Sequence, residues 1–437
     1  MAETHKPYVF VTLQGPDDGG DFGPNTPGTR TSGFQEAFDY AHEHCRDVYV
    51  WGGRGGMHDG KGVSGNVYTL DETLRIPWSQ DWVIGGGNYL LGYRGTTGDA
   101  IHIDSLMNCR IKLGLLTSAS KDGCTVRIKP TTPGPDDFTV ITASVIEFSA
   151  VCSMGTGIVI DSSDGIIVNS RIFAEETNTR DVGVYLTDNG GKGFPIANNQ
   201  ITVMFGNQMH ADDNSTGIRV GDPGTSKIFN NRIEGSYHAP RGAYLDEATG
   251  KYLTPEEYVP EHAIGASIYA QRNEFHSSFY GTRGPGHDIV FEADARDNTV
   301  YADNLPNGVT NTAVHPTNRV VPNWPVGFDL PTPDVPGSGQ TLVNRNPYTA
   351  QIIVLDPGDV ASWTLTDSGS TPQKLSRNLS LADNLNRRDW TRPDDRPSTS
   401  VTIPAGLTSG QTITLEPGDA LELDYSKAPT WTWKALR

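Results

Sequence analysis

Four aspartates, Asp161, Asp181, Asp212 and Asp213, fall within one or two repeat units of Arg219. Residues of this type, brought together, could do paired acid/base chemistry. Breaking a glycosidic C–O bond needs one group to protonate the leaving oxygen and a second carboxylate to act as base or nucleophile. If successive units stack at the strand spacing of about 4.8 Å, acids one or two units apart span the separations used by retaining and inverting mechanisms. For any single aspartate, a turn-capping or solvated role competes with this reading.

The elements that would position these acids are written in a repeat. Asn199, Asn231, Asn273 and Asn298 each stand two residues before a large apolar residue (Ile201, Ile233, Phe275, Val300), and each follows a short run opened by Gly or Asp, such as Gly157–Asp161, Gly183–Thr187 and Gly217–Gly221. A unit of this length cannot bury its apolar face alone and must stack on its neighbours. Ile158 and Ile160 alternate with Val159 and Asp161, the period of a strand. An Asn at the bend can take the left-handed conformation, and its amide can bond the equivalent Asn one coil away. The expected fold is therefore all-β, a right-handed parallel β-helix over residues 1–321.

Phe34, Ala37, Phe38 and Ala41 form one face of an amphipathic helix, expected over about 31–46 with Thr31 or Ser32 as cap, that would cover the open end of the stack. The Gly-rich segment after Trp51 reads as a plain turn. Pro residues from 322 to 339 read as a semi-rigid linker. Short alternating runs at Ile352–Leu355, Trp363–Leu365, Val401–Ile403, Ile413–Leu415 and Leu421–Leu423, with related turns Asp356-Pro-Gly-Asp359 and Glu416-Pro-Gly-Asp419, predict a small C-terminal β-sandwich over 340–437. The Arg/Asp-rich stretch 377–396 reads as a solvated loop.

Alternation along the Gly-opened strands points His102, Tyr185, Arg219, Tyr269 and Glu292 outward alongside Asp161, a face of acids, an Arg and tyrosines that looks like a sugar groove. The spacing from Gly157 to Gly183 to Gly217 to Gly265 grows from 26 to 34 to 48 residues. Long insertions between stacked strands make walls or lids, so the groove should be deepest near Arg219. A second outward stripe follows the Asn bends, with Arg232, Glu234, His238, Glu274 and His276. Cross-coil salt bridges account for it most simply. In a trimer it would become an intersubunit site.

A net charge of −18 argues against nucleic acid or an anionic membrane as partner, since both are attracted by Lys and Arg fields. Cys45, Cys109, Cys124 and Cys152 show neither zinc spacing nor a disulfide framework, and buried free thiols are expected. The segment Met1–Lys6 lacks a secretory pattern, and no run is apolar enough to span a bilayer. A soluble chain is expected, cytoplasmic or secreted with its leader removed.

The helix, the Val48-Tyr-Val-Trp-Gly-Gly53 run and the Asn-bearing coils together resemble the pectate-lyase-like β-helix superfamily over residues 10–305. That resemblance implies action on a carbohydrate, with the outward-pointing His102, Tyr185, Arg219, Tyr269 and Glu292 binding substrate. Gly286-His287-Asp288 is similar to a polygalacturonase strand start, which makes His287 a catalytic candidate, and Asp212-Asp213 loosely matches the aspartates of the same enzymes; the remaining polygalacturonase motifs are missing. The C-terminal end looks like the β-domains that close phage fibres, and superfamily members with such a domain are often homotrimers. Three functions follow: a glycoside hydrolase or intramolecular transglycosylase, a polysaccharide lyase working by β-elimination, or a non-catalytic glycan-binding or tailspike-type protein. No metal or cofactor is expected, except Ca²⁺ for a lyase.

Overall fold

A computed structural model describes residues 7–52, 67–86, 89–134, 137–208, 215–238, 244–246, 251–253, 264–280, 288–303, 305, 308–322, 329–368 and 400–436. Asp212, Asp213 and His287 lie outside the described residues, as does the 377–396 stretch, and for His238 only the backbone is described.

The described strands form a right-handed β-helix of three parallel sheets, of thirteen, nine and six strands. In the nine-stranded sheet the order runs from Leu74–Ile76 through Ile101–Ile103, Cys124–Ile128, Thr156–Asp161, Val182–Thr187, Thr216–Val220, Ile264–Ile268 and Ile289–Phe291 to Val309–Asn311. Sequence order is spatial order, so each coil is one turn of chain. Stacking runs from Tyr8–Val11 to Arg319–Pro322.

Two inward rows of this sheet make the core. Ile101, Val126, Ile158, Val184, Ile218, Ala266 and Ile289 are in register, as are Ile103, Ile128, Ile160, Leu186, Val220, Ile268 and Phe291, all buried. Each large member contributes roughly 1.5–3 kcal/mol by leaving water. The recurring Gly is explained by close approach: a Cβ on Gly183 would meet the Gly217 carbonyl oxygen at 2.4 Å, and one on Gly217 would meet Tyr237 at 2.6 Å and the Gly265 oxygen at 2.7 Å.

The Asn ladder is present, with one correction. Asn199 Nδ2 donates to Asn231 Oδ1 at 3.0 Å, Asn231 to Asn273 at 3.0 Å, Asn273 to Asn298 at 3.4 Å and Asn298 to Asn318 at 2.8 Å. The left-handed residues are instead the preceding ones: Asn198, Asn230, Arg272 and Asp297 have φ between 55° and 58°. Bend and amide contact are separate jobs on consecutive residues. Toward the first coils the same slot holds Ser170, Ser144 and Cys109, where Ser170 N donates to Asn199 Oδ1, Ser144 N to Ser170 Oγ and Cys109 N to Ser144 Oγ.

The N-terminal helix is shorter than expected, Phe34–Glu43, with Gly33 at the cap position (φ 82°); Thr31 Oγ1 still accepts from Gln35 N at 3.1 Å. Its buried face is Phe34, Ala37, Phe38 and Ala41. Cys45, expected to be buried, is exposed with φ 53°, because the chain reverses there to enter the strand Asp47–Val50.

The C-terminal strands form two small antiparallel sheets around a separate core that includes Ile352, Val354, Leu421, Leu423 and Trp433. Strands Thr341–Val343 and Thr430–Leu436 add to the five expected. Within the Pro-rich stretch, Leu330 is buried in this core and the Pro333 carbonyl accepts from Trp431 Nε1 at 3.0 Å.

Candidate functional site

The outer face of the nine-stranded sheet carries one register row: Arg75, His102, Arg127, Val159, Tyr185, Arg219, Ser267, Val290 and Thr310. Parallel pairing places side chains that are far apart in sequence at one strand spacing from each other. Of the five residues expected to bind substrate, His102, Tyr185 and Arg219 stand in this row, and Tyr269 and Glu292 directly follow the strands Ile264–Ile268 and Ile289–Phe291.

Arg219 lies across two tyrosine rings, with its guanidinium carbon 5.2 Å from the Tyr185 centroid and 5.5 Å from that of Tyr269. Arg219 Nη2 donates to Asp222 Oδ1 at 2.8 Å. Asp222 also accepts from Tyr185 Oη, 2.6 Å from each carboxylate oxygen, and from Thr187 Oγ1 at 2.7 Å. Burial, then the Asp222 hydrogen bond, pushes Tyr185 up to about 12, so it stays a phenol and a donor. Glu292 enters from two coils farther along, where one oxygen accepts from Ser267 Oγ at 3.0 Å. Burial and then the charge of Glu292 raise Tyr269, with Asp222 and Asp294 adding to the effect and Arg219 opposing it. Tyr269 is thus the common electrostatic neighbour of Arg219, Asp222, Glu292 and Asp294.

Asp222 was missed by the sequence reading. It stands after its strand, where alternation no longer assigns direction. The available signal was an acid three residues after Arg219 in Gly221-Asp-Pro-Gly224. The turn fixes it: Thr225 Oγ1 accepts from Asp222 N at 2.7 Å and donates to Asp188 Oδ1 at 2.9 Å. Fully buried Asp188 also accepts from the amides of Gly191, Ser226 and Lys227, tying two consecutive turns together.

The other candidates lie elsewhere. Asp161 is nearly buried, 3.5 Å from Arg127 Nη1 and 3.8 Å from Lys129 Nζ, with Ser163 N donating to it at 2.9 Å. It belongs to a structural ion cluster in which Arg127 also pairs with Asp99 and Lys129 with Asp164. Asp181 precedes the strand Val182–Thr187, at the opposite end from Asp222, and its carbonyl accepts from Thr216 N at 2.8 Å. Both ring nitrogens of His102 are engaged, by Arg75 at 3.0 Å and by the Lys129 carbonyl at 3.2 Å. Burial is the main cause holding its pKa down, so the neutral ring donates from Nε2 and accepts at Nδ1.

On the thirteen-stranded sheet, Arg232 pairs with Glu234 at 2.5 Å and His276 with Glu274, both between residues two apart on one strand. Glu234 faces His276 one coil on, and the His276 ring stacks on Tyr301 at 4.8 Å.

A family model described as "Periplasmic copper-binding protein (NosD)" matches residues 120–350, more than half of the chain. The chain belongs to the NosD family. No curated protein matches it. Among solved structures, Pantoea stewartii WceF, described as a glycan biofilm modifying enzyme with a bacteriophage tailspike-like parallel beta-helix fold, is 9% identical with a TM-score of 0.34. That match covers 94% of this chain, which spans 59% of the WceF chain. A mutant tailspike protein of E. coli bacteriophage HK620, solved in complex with pentasaccharide, is 10% identical with a TM-score of 0.29, over 94% of this chain and 90% of that one.

The NosD description implies copper, but the described residues do not fit a copper centre. Among them no group of three or more His, Cys, Asp or Glu side chains could hold a metal ion. The Cys124 thiol, a soft donor, is buried against Asp99 Oδ1 at 3.1 Å, and burial followed by that negative charge pushes its pKa well up, the reverse of what a thiolate ligand needs. Among the described residues, no helix is long and apolar enough to cross a membrane, which says nothing of a β-barrel.

Proposed function

We propose that this NosD-family β-helix binds a glycan along the outer face of its nine-stranded sheet and hydrolyses it with Asp222 and Glu292 as the carboxylate pair. The observation that carries the reading is the cluster around Arg219: its guanidinium lies over the Tyr185 and Tyr269 rings and bonds Asp222, and Glu292 reaches Ser267, the register neighbour of Arg219, from the coil beyond. Tyrosine faces supply the flat apolar surface on which a sugar ring packs, and the surrounding donors and acceptors fix its orientation.

Asp222 and Glu292 stand two coil spacings apart, about 9–10 Å along the helix axis. This adjoins the upper end of the range that leaves room for a water in an inverting mechanism, roughly 6.5–9.5 Å. Glu292, with one oxygen bonded to Ser267, has its other oxygen available to deliver a proton to the leaving group. Asp222, hydrogen-bonded by Arg219, would receive the proton of the attacking water. Among the acids proposed from sequence, Asp161 is committed to Arg127 and Lys129 and is given no catalytic role here.

One observation favours a second reading, a glycan-binding wall without turnover: both oxygens of Asp222 are already occupied by Tyr185, Thr187 and Arg219. A glycan panel read by product mass separates the two. New reducing ends with the mass of one added water support hydrolysis, binding without products supports the wall, and unsaturated products absorbing near about 235 nm would assign β-elimination in place of general acid/base hydrolysis. The homotrimer expected from the resemblance is a proposal of the same standing, and sedimentation of the full chain tests it.

A further inference from the structure

The charge balance of the wall selects among glycans. Four cationic side chains occupy its described face: Arg75, Arg127, Lys129 and Arg219. Each already has a partner. Arg127 is bonded to Asp99 and lies 3.5 Å from Asp161, Lys129 contacts Asp164 at 2.8 Å and Asp161 at 3.8 Å, and Arg219 holds Asp222 at 2.8 Å. Arg75 donates to His102 Nδ1.

The carboxylates are not matched in the same way. Glu292 accepts from a hydroxyl, Ser267 Oγ, and Asp294 accepts from the backbone amide of Gly224 at 2.8 Å. Asp104 accepts from the amides of Ser105, Thr131 and Thr132 and from the Thr132 hydroxyl. None of these three acids has a cation as partner among the described residues. Among the described residues, the cations on the strands of this wall are all ion-paired or hydrogen-bonded, and an anionic ligand there would face Asp294 beside Tyr269, and Glu292 whenever its proton has been delivered. Displacing Asp222 from Arg219 would leave a half-buried carboxylate bonded only to hydroxyls, a costly exchange.

We infer that the glycan taken by the Arg219 wall is uncharged, built of neutral hexoses or N-acetylated hexosamines, and that uronic-acid chains are rejected. This deepens the glycan reading and rests on it. It also separates the chain from the uronate-cleaving members of the superfamily it resembles, whose substrates need a cation to neutralise each carboxylate.

The test is direct binding of two oligosaccharides of equal length to the full chain, one of galactose and one of galacturonate, at low and at high salt. The neutral chain should bind at least about tenfold more tightly at low salt, with the gap shrinking at high salt as the repulsion is screened. Asp294→Asn, at an exposed position outside the Arg219 contacts, should raise galacturonate affinity several-fold and leave the neutral chain unchanged. Tighter galacturonate binding, or equal binding of both at low salt, overturns the inference while leaving the glycan reading intact. Binding of neither oligosaccharide, nor of a wider neutral panel, overturns the reading and the inference together.

Discussion

The outer faces of the nine- and thirteen-stranded sheets both carry alternating charges, but they are wired differently. On the nine-stranded face the partners come from different coils or from the turns after the strands: Arg127 spans to Asp99 and Asp161, and Tyr185 and Thr187 reach Asp222 one coil on. On the thirteen-stranded face the tightest pairs, Arg232 with Glu234 and Glu274 with His276, are two residues apart on a single strand. Exposure follows the wiring. The Arg127, Asp99 and Asp161 side chains are 29%, 21% and 10% exposed, whereas Arg232, Glu274 and His276 are 55%, 48% and 34% exposed and only Glu234, at 23%, is comparably shielded. Pairs that reach across coils hold the stack together and are shielded from water; pairs within a strand hold nothing that the backbone does not already hold.

Four measurements would break or sharpen this contrast. The largest effect is expected at Asp222→Asn, which should lower glycan turnover about 10²- to 10³-fold with binding retained; loss of binding alongside turnover would move Asp222 from chemistry to ligand contact. Next, Arg127→Met strands Asp99 and Asp161 in a partly buried setting and should cost about 2–3 kcal/mol in urea unfolding, and a cost below about 0.5 kcal/mol would erase the distinction between the two faces.

A third experiment uses pH. In Asp104, burial raises the pKa, but hydrogen bonds from Thr132, Thr131 and Ser105 outweigh it, so the folded value lies below 3.8. Its contribution is complete above the unfolded value and is lost as pH falls through the folded one. His102, whose folded pKa is lowered mainly by burial, has the same sign at higher pH: stability begins to fall as pH drops below 6.5, where only the unfolded ring gains a proton. Asp104→Asn should flatten the acid limb and His102→Gln the limb just below 6.5; a His276→Gln variant serves as the comparison on the other face. The smallest effect belongs to Arg232→Ala, expected within about 0.5 kcal/mol of the parent, and a Tm shift well beyond that would show that the thirteen-stranded face is not merely solvated.

The winding was legible because it is local: Gly-opened alternating runs and Asn before an apolar residue state the coil directly, and observed strands such as Thr156–Asp161 and Thr216–Val220 coincide with them. Tyr185, Arg219, Tyr269 and Glu292 were legible for the same reason, since strand alternation, carried one step past the strand for Tyr269 and Glu292, decides which way a side chain points. Asp222 was not, because a turn has no period, and its aim depends on Thr225 and Asp188 from two successive coils. Asp161 misled in the opposite sense: it points outward as expected, yet Arg127 and Lys129, one coil away, consume it. The helix limits shifted because the turn residue at its start is Gly33 in the left-handed region, a conformation that composition does not announce.

The Asn column has a direction. In every step the donor belongs to the earlier coil and the acceptor to the later one, from Cys109 N to Ser144 through to Asn298 N to Asn318. Each Asn also returns one Nδ2 hydrogen to a carbonyl of the earlier coil, as Asn231 does to the Ile196 oxygen. Deleting coils from the carboxyl end therefore strands both a backbone amide hydrogen and a forward Nδ2 hydrogen at the new terminus, while deleting from the amino end strands one Nδ2 hydrogen and leaves a spare oxygen lone pair, which is the milder defect. The assembly is vectorial: trimming it from its two ends should be unequal, with the carboxyl-side cut the more damaging.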